Sequence, residues 1–300
     1  MKSKPSTNLM FFLFSAIVFI SFYGTLRDLV ILSLNTSPYN HIVLIPFVSG
    51  YFIISERKKI FSDTDYSKIP GISLIGLGLL ILLIGKMYGL KLKEDELLSI
   101  QILSFVTLWS GGFVFFYGAR SFRKALFPLL FLIFLIPIPA VILDKIISIL
   151  TKASAEVCSL LFNITGVPVY RDGAVFHIPG LVIEVAKQCS GIRSSTVLFV
   201  TSVITGHMFL KTGWRKCVLA LSVFPITVFK NGLRIVTITL LSAYVDRGFL
   251  SGSLHRSGGI PFFVLALVFL GIVLAVLVKS EKKGLKETGL LFDKAGERRR

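Results

Sequence analysis

Apolar residues along this chain fall into blocks that are separated by short polar segments. The blocks are close to the ~20 residues that a helix needs to cross a hydrocarbon core about 30 Å thick. They predict eight membrane-spanning helices, over residues 9–26, 41–55, 70–90, 97–117, 124–141, 191–210, 214–234 and 259–278. The pattern is that of a polytopic membrane protein.

One long segment, between the fifth and sixth predicted spans, departs from this pattern. Two prolines in the motif LIPIPA, Pro137 and Pro139, are expected to break the fifth helix. Residues 141–164 then predict a helix whose charged residues recur at spacings of seven and four and share one face: Lys145, Lys152 and Glu156. We expect this amphipathic helix to lie along the membrane surface.

A β-hairpin is predicted after that helix. The β-branched and aromatic residues of VPVYRDGAVFHIPGLVIEVA surround Asp172-Gly173, which is a common turn pair. The second arm of the hairpin, residues 181–186, leads into Cys189 within three residues. The predicted fold is an all-α polytopic membrane protein of about eight transmembrane helices, with a short extracytoplasmic amphipathic helix and a β-hairpin.

Composition agrees with the membrane assignment and excludes a soluble enzyme. Hydrophobic residues make up 54% of the chain and charged residues 16%, against about 25% charged residues in a soluble globular protein. The formal charge is +17, from 33 Lys and Arg and 16 Asp and Glu. These basic residues are spread over short loops and the C-terminal tail, so membrane topology and anionic headgroups explain them better than a nucleic-acid partner.

The basic residues also predict which loops are cytoplasmic. Mixed loops, such as residues 91–96, alternate with segments rich in Lys and Arg, at residues 56–59, 119–124, 211–216 and from 279 onward. By the positive-inside rule both termini are cytoplasmic and residues 143–188 face outward. We expect a multi-pass protein of the cell membrane (plasma or inner membrane), with one domain over residues 1–280 and a disordered basic tail over 281–300.

Ionisable residues at the edges of membrane spans are costly, and three clusters of them stand out. They are QCSGIRSS (residues 188–195), KNGLR (230–234) and LHRSGG (254–259). In the predicted topology all three lie at the outer ends of spans six, seven and eight, at one membrane depth. Separation along the sequence therefore does not imply distance in space.

Cys189 is the candidate nucleophile of the first cluster. A thiolate is favoured at a helix N-terminus and beside a cation, and Arg234 and Arg256 are the candidate cations. Asn231-Gly232, just before Arg234, predicts a break in the helix that aims this arginine. The plain alternatives are that Cys189 packs as a small apolar residue, that Arg234 reaches lipid headgroups and that His255 is a solvated loop residue.

Other kinds of site have less support in the sequence. No pair of His or Cys stands at ligand spacing and acids are scarce, so neither a metal nor another cofactor is expected. No GxSxG motif is present for a serine nucleophile, and Ser190 is more simply a helix cap. Cys158 and Cys217 are expected to pack as small apolar residues.

The conjunction of QCSGIRSS, NGLRI and a later histidine resembles the exosortase/archaeosortase family of membrane transpeptidases. The resemblance extends to PYNHIVLIPFVSGYFI (residues 38–53), to the proline-broken FPLLFLIFLIPIP (127–139) and to GVPVYRDGAVFHIPGLVIEVAKQCSG (166–191). It covers roughly residues 38–275 of the chain.

The resemblance implies that Cys189 is the nucleophile, Arg234 the essential arginine and His255 the third site residue. Some relatives have an arginine near the third position, so Arg256, which follows His255 directly, is a second candidate for it. The residues expected to contact substrate are Glu184, Asn231 and Arg256.

The family acts on exported proteins whose C-terminus carries a short recognition motif, a hydrophobic span and a basic cluster, of the PEP-CTERM or PGF-CTERM kind. It cleaves near the motif and can pass the acyl group to an acceptor. The resemblance therefore implies a membrane cysteine protease or transpeptidase that needs no cofactor. Its partners would be exported proteins and membrane lipid, with no nucleic acid.

Two other functions would use the same residues. A non-enzymatic membrane protein or transporter would bind an anionic polyprenyl or polysaccharide ligand through Arg234 and Arg256, and Cys189 would only pack. A lipid-phosphate phosphatase or transferase would use His255 and the RSS that follows Cys189. That function needs a second His or an Asp on the outer face near these clusters, and the sequence offers none there.

The predicted topology is testable by labelling. A cysteine introduced by Asp172→Cys should react with a membrane-impermeant thiol reagent on intact cells, because residues 166–188 are predicted to face outward. A cysteine introduced by Lys282→Cys, in the predicted cytoplasmic tail, should react only after lysis. The measurement is the labelled fraction before and after lysis, and labelling of position 172 only after lysis would reverse the orientation.

Overall fold

A computed structural model describes residues 5–62, 64, 68–186, 190–250 and 259–297 of the 300-residue chain. The helices in these residues, in chain order, are α1 Pro5–Ser21, α2 Tyr23–Asn35, α3 Ile45–Ser55, α4 Arg57–Ile60, α5 Lys68–Tyr88, α6 Glu94–Lys124, α7 Leu126–Phe131, α8 Ala140–Thr165, α9 Ile192–Phe209, α10 Gly213–Tyr244 and α11 Gly259–Glu297. Three short strands lie between α8 and α9: β1 Tyr170–Asp172, β2 Val175–Ile178 and β3 Leu181–Glu184. The predicted all-α polytopic fold is confirmed.

The number of full-length spans is smaller than predicted. In the described part of the chain five helices are long and apolar enough to cross a membrane, namely α5, α6, α8, α10 and the Gly259–Gly284 part of α11. The pair α1 and α2, bent by 68°, makes a sixth if it is one span. Two of the eight predicted spans instead fold as shorter apolar helices, Ile42–Ser55 and Leu126–Leu135, and α9 is not among the five.

Helix α8 has the charged face that was predicted for it. Its charged face is as expected, because Lys145, Lys152 and Glu156 are all exposed while Cys158 and Phe162 are buried. It is nevertheless one of the five helices whose length and apolar content suit a membrane span. The charges are confined to one side of the helix, and the rest of its surface is apolar enough for the interior of a bilayer.

The chain divides into two compact units between Leu143 and Asp144. In the first unit, the predicted break at the proline motif is confirmed. A 3-10 turn at Leu132–Leu135 follows α7, and the chain is then extended up to α8. Two side chains satisfy carbonyls in the broken segment: the Ser99 hydroxyl donates to Pro137 and the Tyr39 hydroxyl donates to Ile138, each at 2.8 Å. Irregular backbone inside a membrane protein needs such partners, because lipid offers none.

The second unit contains the sheet, an antiparallel meander in the order β1-β2-β3. The predicted turn at Asp172-Gly173 joins β1 to β2, and a further turn at Pro179-Gly180 joins β2 to β3. The segment predicted as the second arm of one hairpin is therefore a third strand, because Pro179-Gly180 is itself a turn pair. Arg171 of β1 holds the sheet to α8 through two hydrogen bonds to the Glu156 carboxylate, at 2.9 and 2.6 Å.

Two apolar clusters fill the interior of the second unit. One lies among α9, α10 and α11 and includes Leu198, Leu219, Ala266 and Leu270. The other joins α8, the sheet and α10 and includes Cys158, Phe162, Phe176 and Val236. The packing role predicted for Cys158 is thus confirmed, whereas Cys217 is exposed on α10, so the packing role predicted for it is wrong. The side chain at position 217 lies on the exposed surface of α10, where an apolar thiol is compatible with contact to lipid.

Glu281 of α11 binds the segment that connects α9 to α10. Its carboxylate accepts the backbone N–H of Lys211 at 3.0 Å, the backbone N–H of Thr212 at 2.8 Å and the Thr212 hydroxyl. The Arg215 guanidinium donates to it at 3.2 Å. These backbone N–H groups stand at the beginning of α10, where a helix has no acceptors of its own. One carboxylate therefore caps α10 and fixes α11 to it.

We expect Glu281→Ala to lower the midpoint of thermal unfolding in detergent by several degrees. The substitution leaves Arg215 without its carboxylate and removes the acceptor of two backbone N–H groups. The matched control is Lys282→Ala, because Lys282 is the next residue of α11 and is exposed. Equal thermal midpoints for the two variants would show that the Glu281 contacts do not stabilise the protein.

Candidate functional site

The N-terminus of α9 lies beside the middle of α10. The two helices run antiparallel, because Gly206 of α9 lies beside Lys216, and Gly191, just before α9, lies beside Lys230 and Asn231. Helix α9 has 18 residues, so its two ends are about 27 Å apart along the axis. The basic loop at residues 211–216 and the start of α9 are therefore at opposite ends of this helix pair.

Gly191 fixes the start of α9 against α10. Its φ angle is +69°, a left-handed conformation that glycine adopts without strain. A Cβ at this position would lie 3.3 Å from Asn231 Oδ1 and 3.3 Å from Lys230 Nζ. The Gly191 carbonyl accepts the backbone N–H of Ser195 at 3.0 Å and the hydroxyls of Ser194 and Ser195 at 2.9 and 2.8 Å. Gly191 is therefore fixed by its packing against α10 and by hydrogen bonds from the first turn of α9.

Lys230 is a buried cation at this contact. Its side chain is 4% exposed, and its ammonium donates a hydrogen bond to Ser194 Oγ at 2.5 Å. Among the residues that the structure describes, no carboxylate forms an ion pair with it. Arg234 lies four residues, about 6 Å of helix rise, further along α10 and is partly buried. Two cations therefore follow one another on α10 beside the start of α9.

Asn231 and Gly232 bring α8 close to α10. Asn231 is fully buried, and its Nδ2 donates to Ser154 Oγ of α8 at 3.1 Å. A Cβ on Gly232 would lie 2.6 Å from Val157 Cγ1, so the two helices touch where α10 has no side chain. Helix α10 runs unbroken from Gly213 to Tyr244. The predicted break at Asn231-Gly232 is therefore wrong, because the glycine serves close helix packing instead.

The structure describes half of the predicted site residues. The residues outside the described ranges are Cys189, His255 and Arg256. The described ones all belong to the second unit: Glu184, Asn231 and Arg234. Glu184 is the exposed last residue of β3, and Cys189 follows it by five residues. The roles given to all six residues stay predictions.

Sequence reasoning missed the role of Lys230 in this arrangement. The KNGLR cluster was noted for its arginine, and the lysine at its start was not singled out. A signal was present, since Lys230 follows the apolar run LALSVFPITVF without a break. In the described part of the chain, no group of three or more His, Cys, Asp or Glu stands at metal-binding distances.

A comparison with protein families bears on the whole of this arrangement. The family model described as transmembrane exosortase (Exosortase_EpsH) matches residues 32–272, which is well over half of the chain. The matched range includes α8, the sheet, α9 and α10. No curated protein and no solved structure matches the chain significantly.

Proposed function

Because the chain belongs to the transmembrane exosortase family, we propose that it is a membrane-embedded cysteine protease or transpeptidase. Its substrates are exported proteins with a C-terminal sorting signal of the PEP-CTERM or PGF-CTERM kind. The site faces the extracytoplasmic side of the cell membrane, where such a signal emerges after export.

The observation that carries this proposal is the concentration of positive charge beside the start of α9. Lys230 and Arg234 stand one helical turn apart on α10, and Gly191 lies against Lys230. The N-terminus of α9 adds the partial positive charge of a helix end. Cys189 is bonded directly to Ser190 at this point of the chain. Such surroundings favour the thiolate, which is the reactive form of cysteine.

The first half of the proposed reaction forms an acyl-enzyme. The Cys189 thiolate attacks the scissile carbonyl carbon, and an S–C bond forms as the carbonyl oxygen becomes an oxyanion. Arg234 stabilises both anions and stays charged at any working pH. As the C–N bond breaks, His255 as imidazolium gives its proton to the leaving amine. The N-terminal part of the substrate is left as a thioester on Cys189.

The second half transfers the acyl group. Neutral His255 takes a proton from the incoming water or amine, which attacks the thioester carbonyl and releases the Cys189 thiolate. Water as acceptor makes the protein a protease, and an amine makes it a transpeptidase. Arg256, which cannot give up its proton in a protein, is assigned to substrate binding.

The same concentration of charge also suits a protein that binds an anionic polyprenyl or polysaccharide ligand without chemistry. In that function the cations bind the ligand directly and the thiol has no part. The two functions therefore differ in what they require of Cys189.

We expect Cys189→Ala and Cys189→Ser to lower processing of a co-expressed substrate with a tripartite C-terminal signal by about 1,000-fold or more, because the nucleophile is lost. The matched controls are Cys158→Ala and Cys217→Ala, which should keep processing. The measurement is the ratio of processed to full-length substrate on immunoblots at equal enzyme levels. Wild-type activity of Cys189→Ala would exclude the enzyme and favour the anion-binding function.

The edge strand β3 supports a way of holding the substrate, which is part of the same proposal. An extended peptide is bound by main-chain hydrogen bonds when it adds to an exposed strand edge. Among the described residues β3 pairs with β2 alone, and the chain then leads from β3 to Cys189. We propose that the recognition motif pairs along β3 and that this pairing sets which bond reaches the thiolate.

The register of β3 identifies the backbone groups available for such pairing. Ile178 and Leu181 pair next to the two-residue turn, and in such a hairpin hydrogen-bonded and non-bonded pairs alternate from there. Ile183 therefore directs its N–H and C=O to β2, whereas Val182 directs both groups, and Glu184 its N–H, to the outer edge. The Glu184 carbonyl accepts the backbone N–H of Ala186 at 2.9 Å. The N–H of Val185 donates to the Ala174 carbonyl at 2.9 Å, as this alternation requires.

We expect Val182→Pro and Glu184→Pro each to lower processing at least ~10-fold while the protein stays folded. Each removes an outward N–H, and neither removes a hydrogen bond between β2 and β3. Val182→Ala keeps the outward N–H and should keep activity, whereas Ile183→Pro breaks the ladder and should lower thermal stability. Unchanged processing by both outward proline variants, at unchanged protein levels, would show that β3 does not pair with substrate.

A further inference from the structure

Lys230 stands out among the charged side chains of the protein. Where the structure describes burial, two charged residues are more than nine-tenths buried, Lys230 at 4% exposed and Glu281 at 5%. Glu281 has the guanidinium of Arg215 and several hydrogen-bond donors around it. Lys230 has, within the described ranges, only the neutral hydroxyl of Ser194.

A buried ammonium without an anion is costly, because the interior does not replace the water that solvated it. Two neighbouring features increase this cost. Arg234 is a like charge one turn away on α10, and the N-terminus of α9 presents a partial positive charge. An anion at this position would offset the charges of Lys230 and Arg234 and the partial charge of the helix N-terminus.

The sequence limits the identity of that anion. Two stretches of the second unit outside the described ranges lead directly into the N-termini of α9 and α11, residues 187–189 and 251–258, and they contain no Asp or Glu. The one side chain in those two segments that can become an anion is the thiol of Cys189. Ser190, bonded directly to Cys189, is fully buried, and its hydroxyl has no hydrogen-bond partner among the described residues. The buried hydroxyl next to Cys189 in the chain is therefore without a hydrogen-bond partner among the described residues.

We infer that Lys230 is a positioning residue whose buried ammonium stabilises the thiolate of Cys189 and so prepares it for attack. The inference rests on the proposed function in assigning the nucleophile to Cys189. The other charged residues of α8, α9 and α10 are Asp144, Lys145, Lys152 and Glu156 on α8, Arg193 on α9, and Arg215, Lys216 and Arg234 on α10. Glu156 is bound to Arg171, and Arg215 to Glu281. Helix α11 has no ionisable side chain from Gly259 to Val278.

The test measures how readily the Cys189 thiolate forms, and it needs no substrate. In the full-length protein carrying Cys158→Ala and Cys217→Ala, Cys189 is the single thiol. Its rate of alkylation by iodoacetamide is measured in detergent as a function of pH. We expect Lys230→Met to move the midpoint of this profile upward by about 1 to 3 pH units, since an opposite charge within a few ångströms favours the charged form by that much.

Two further variants separate charge from other effects. Lys230→Arg keeps a cation and should keep both the low midpoint and substrate processing. Lys152→Met removes an exposed lysine of α8 and should leave the profile unchanged. Methionine has a volume close to that of lysine and removes a buried charge, so Lys230→Met should keep or raise the thermal midpoint. If it lowers that midpoint, Lys230→Gln, which keeps a donor for Ser194, provides the same comparison.

An alkylation midpoint that is unchanged in the folded Lys230→Met or Lys230→Gln variant overturns the inference. So does a folded Lys230→Arg variant whose midpoint rises as far as that of Lys230→Met, because the positive charge would then not account for the low midpoint. Neither result touches the proposed function, whose failure would be seen as processing by Cys189→Ala. The two hypotheses therefore fail in different experiments.

Discussion

The second unit of this protein depends on the need to give every buried charge a partner. In water an ammonium or carboxylate is solvated at no structural cost, whereas in an apolar helix bundle the protein must supply the partner. Glu281 meets this need with Arg215 and the first N–H groups of α10, and the ends of α9, α10 and α11 are joined as a result. Lys230, at the other end of the same helix pair, has the opposite sign and a neutral hydroxyl as its partner. Glu281 thus lies where α9, α10 and α11 are joined, and Lys230 lies where catalysis is proposed.

Much of the fold could be predicted because membrane proteins repeat a simple pattern. The apolar blocks gave the all-α class, and the proline motif at residues 137–139 gave the break before α8. The count of eight spans is not confirmed in the described residues, for a physical reason. Length in sequence does not say whether a segment stays helical, and prolines such as Pro128 and Pro137 keep the apolar helix Leu126–Leu135 short. The third strand was not predicted, because the predicted hairpin has one turn, at Asp172-Gly173, and lacks the second turn at Pro179-Gly180.

The roles of the candidate site residues stay predictions, whereas the helix contacts around them come from the structure. Cys189, Arg234 and His255 were identified from motifs and from the cost of ionisable groups in membrane spans. The contacts of Asn231 and Gly232 with α8 were not predictable, because they depend on which face of α10 meets Ser154 and Val157. Periodicity identifies a buried face but does not say which helix covers it. For the same reason, the burial of Lys230 could be recognised only once α9 was placed beside it.

The contact at Gly232 also sets how closely α8 packs against α10 in the second unit. Helix α8 approaches α10 as closely as it does because no methyl group stands at position 232. The same helix carries Glu156, which holds β1 through Arg171, so the sheet is positioned through α8. A side chain at position 232 would push α8 outward and carry the sheet with it. The position of β1, and with it the sheet, therefore depends on the absence of a side chain at a residue more than 50 positions away in sequence.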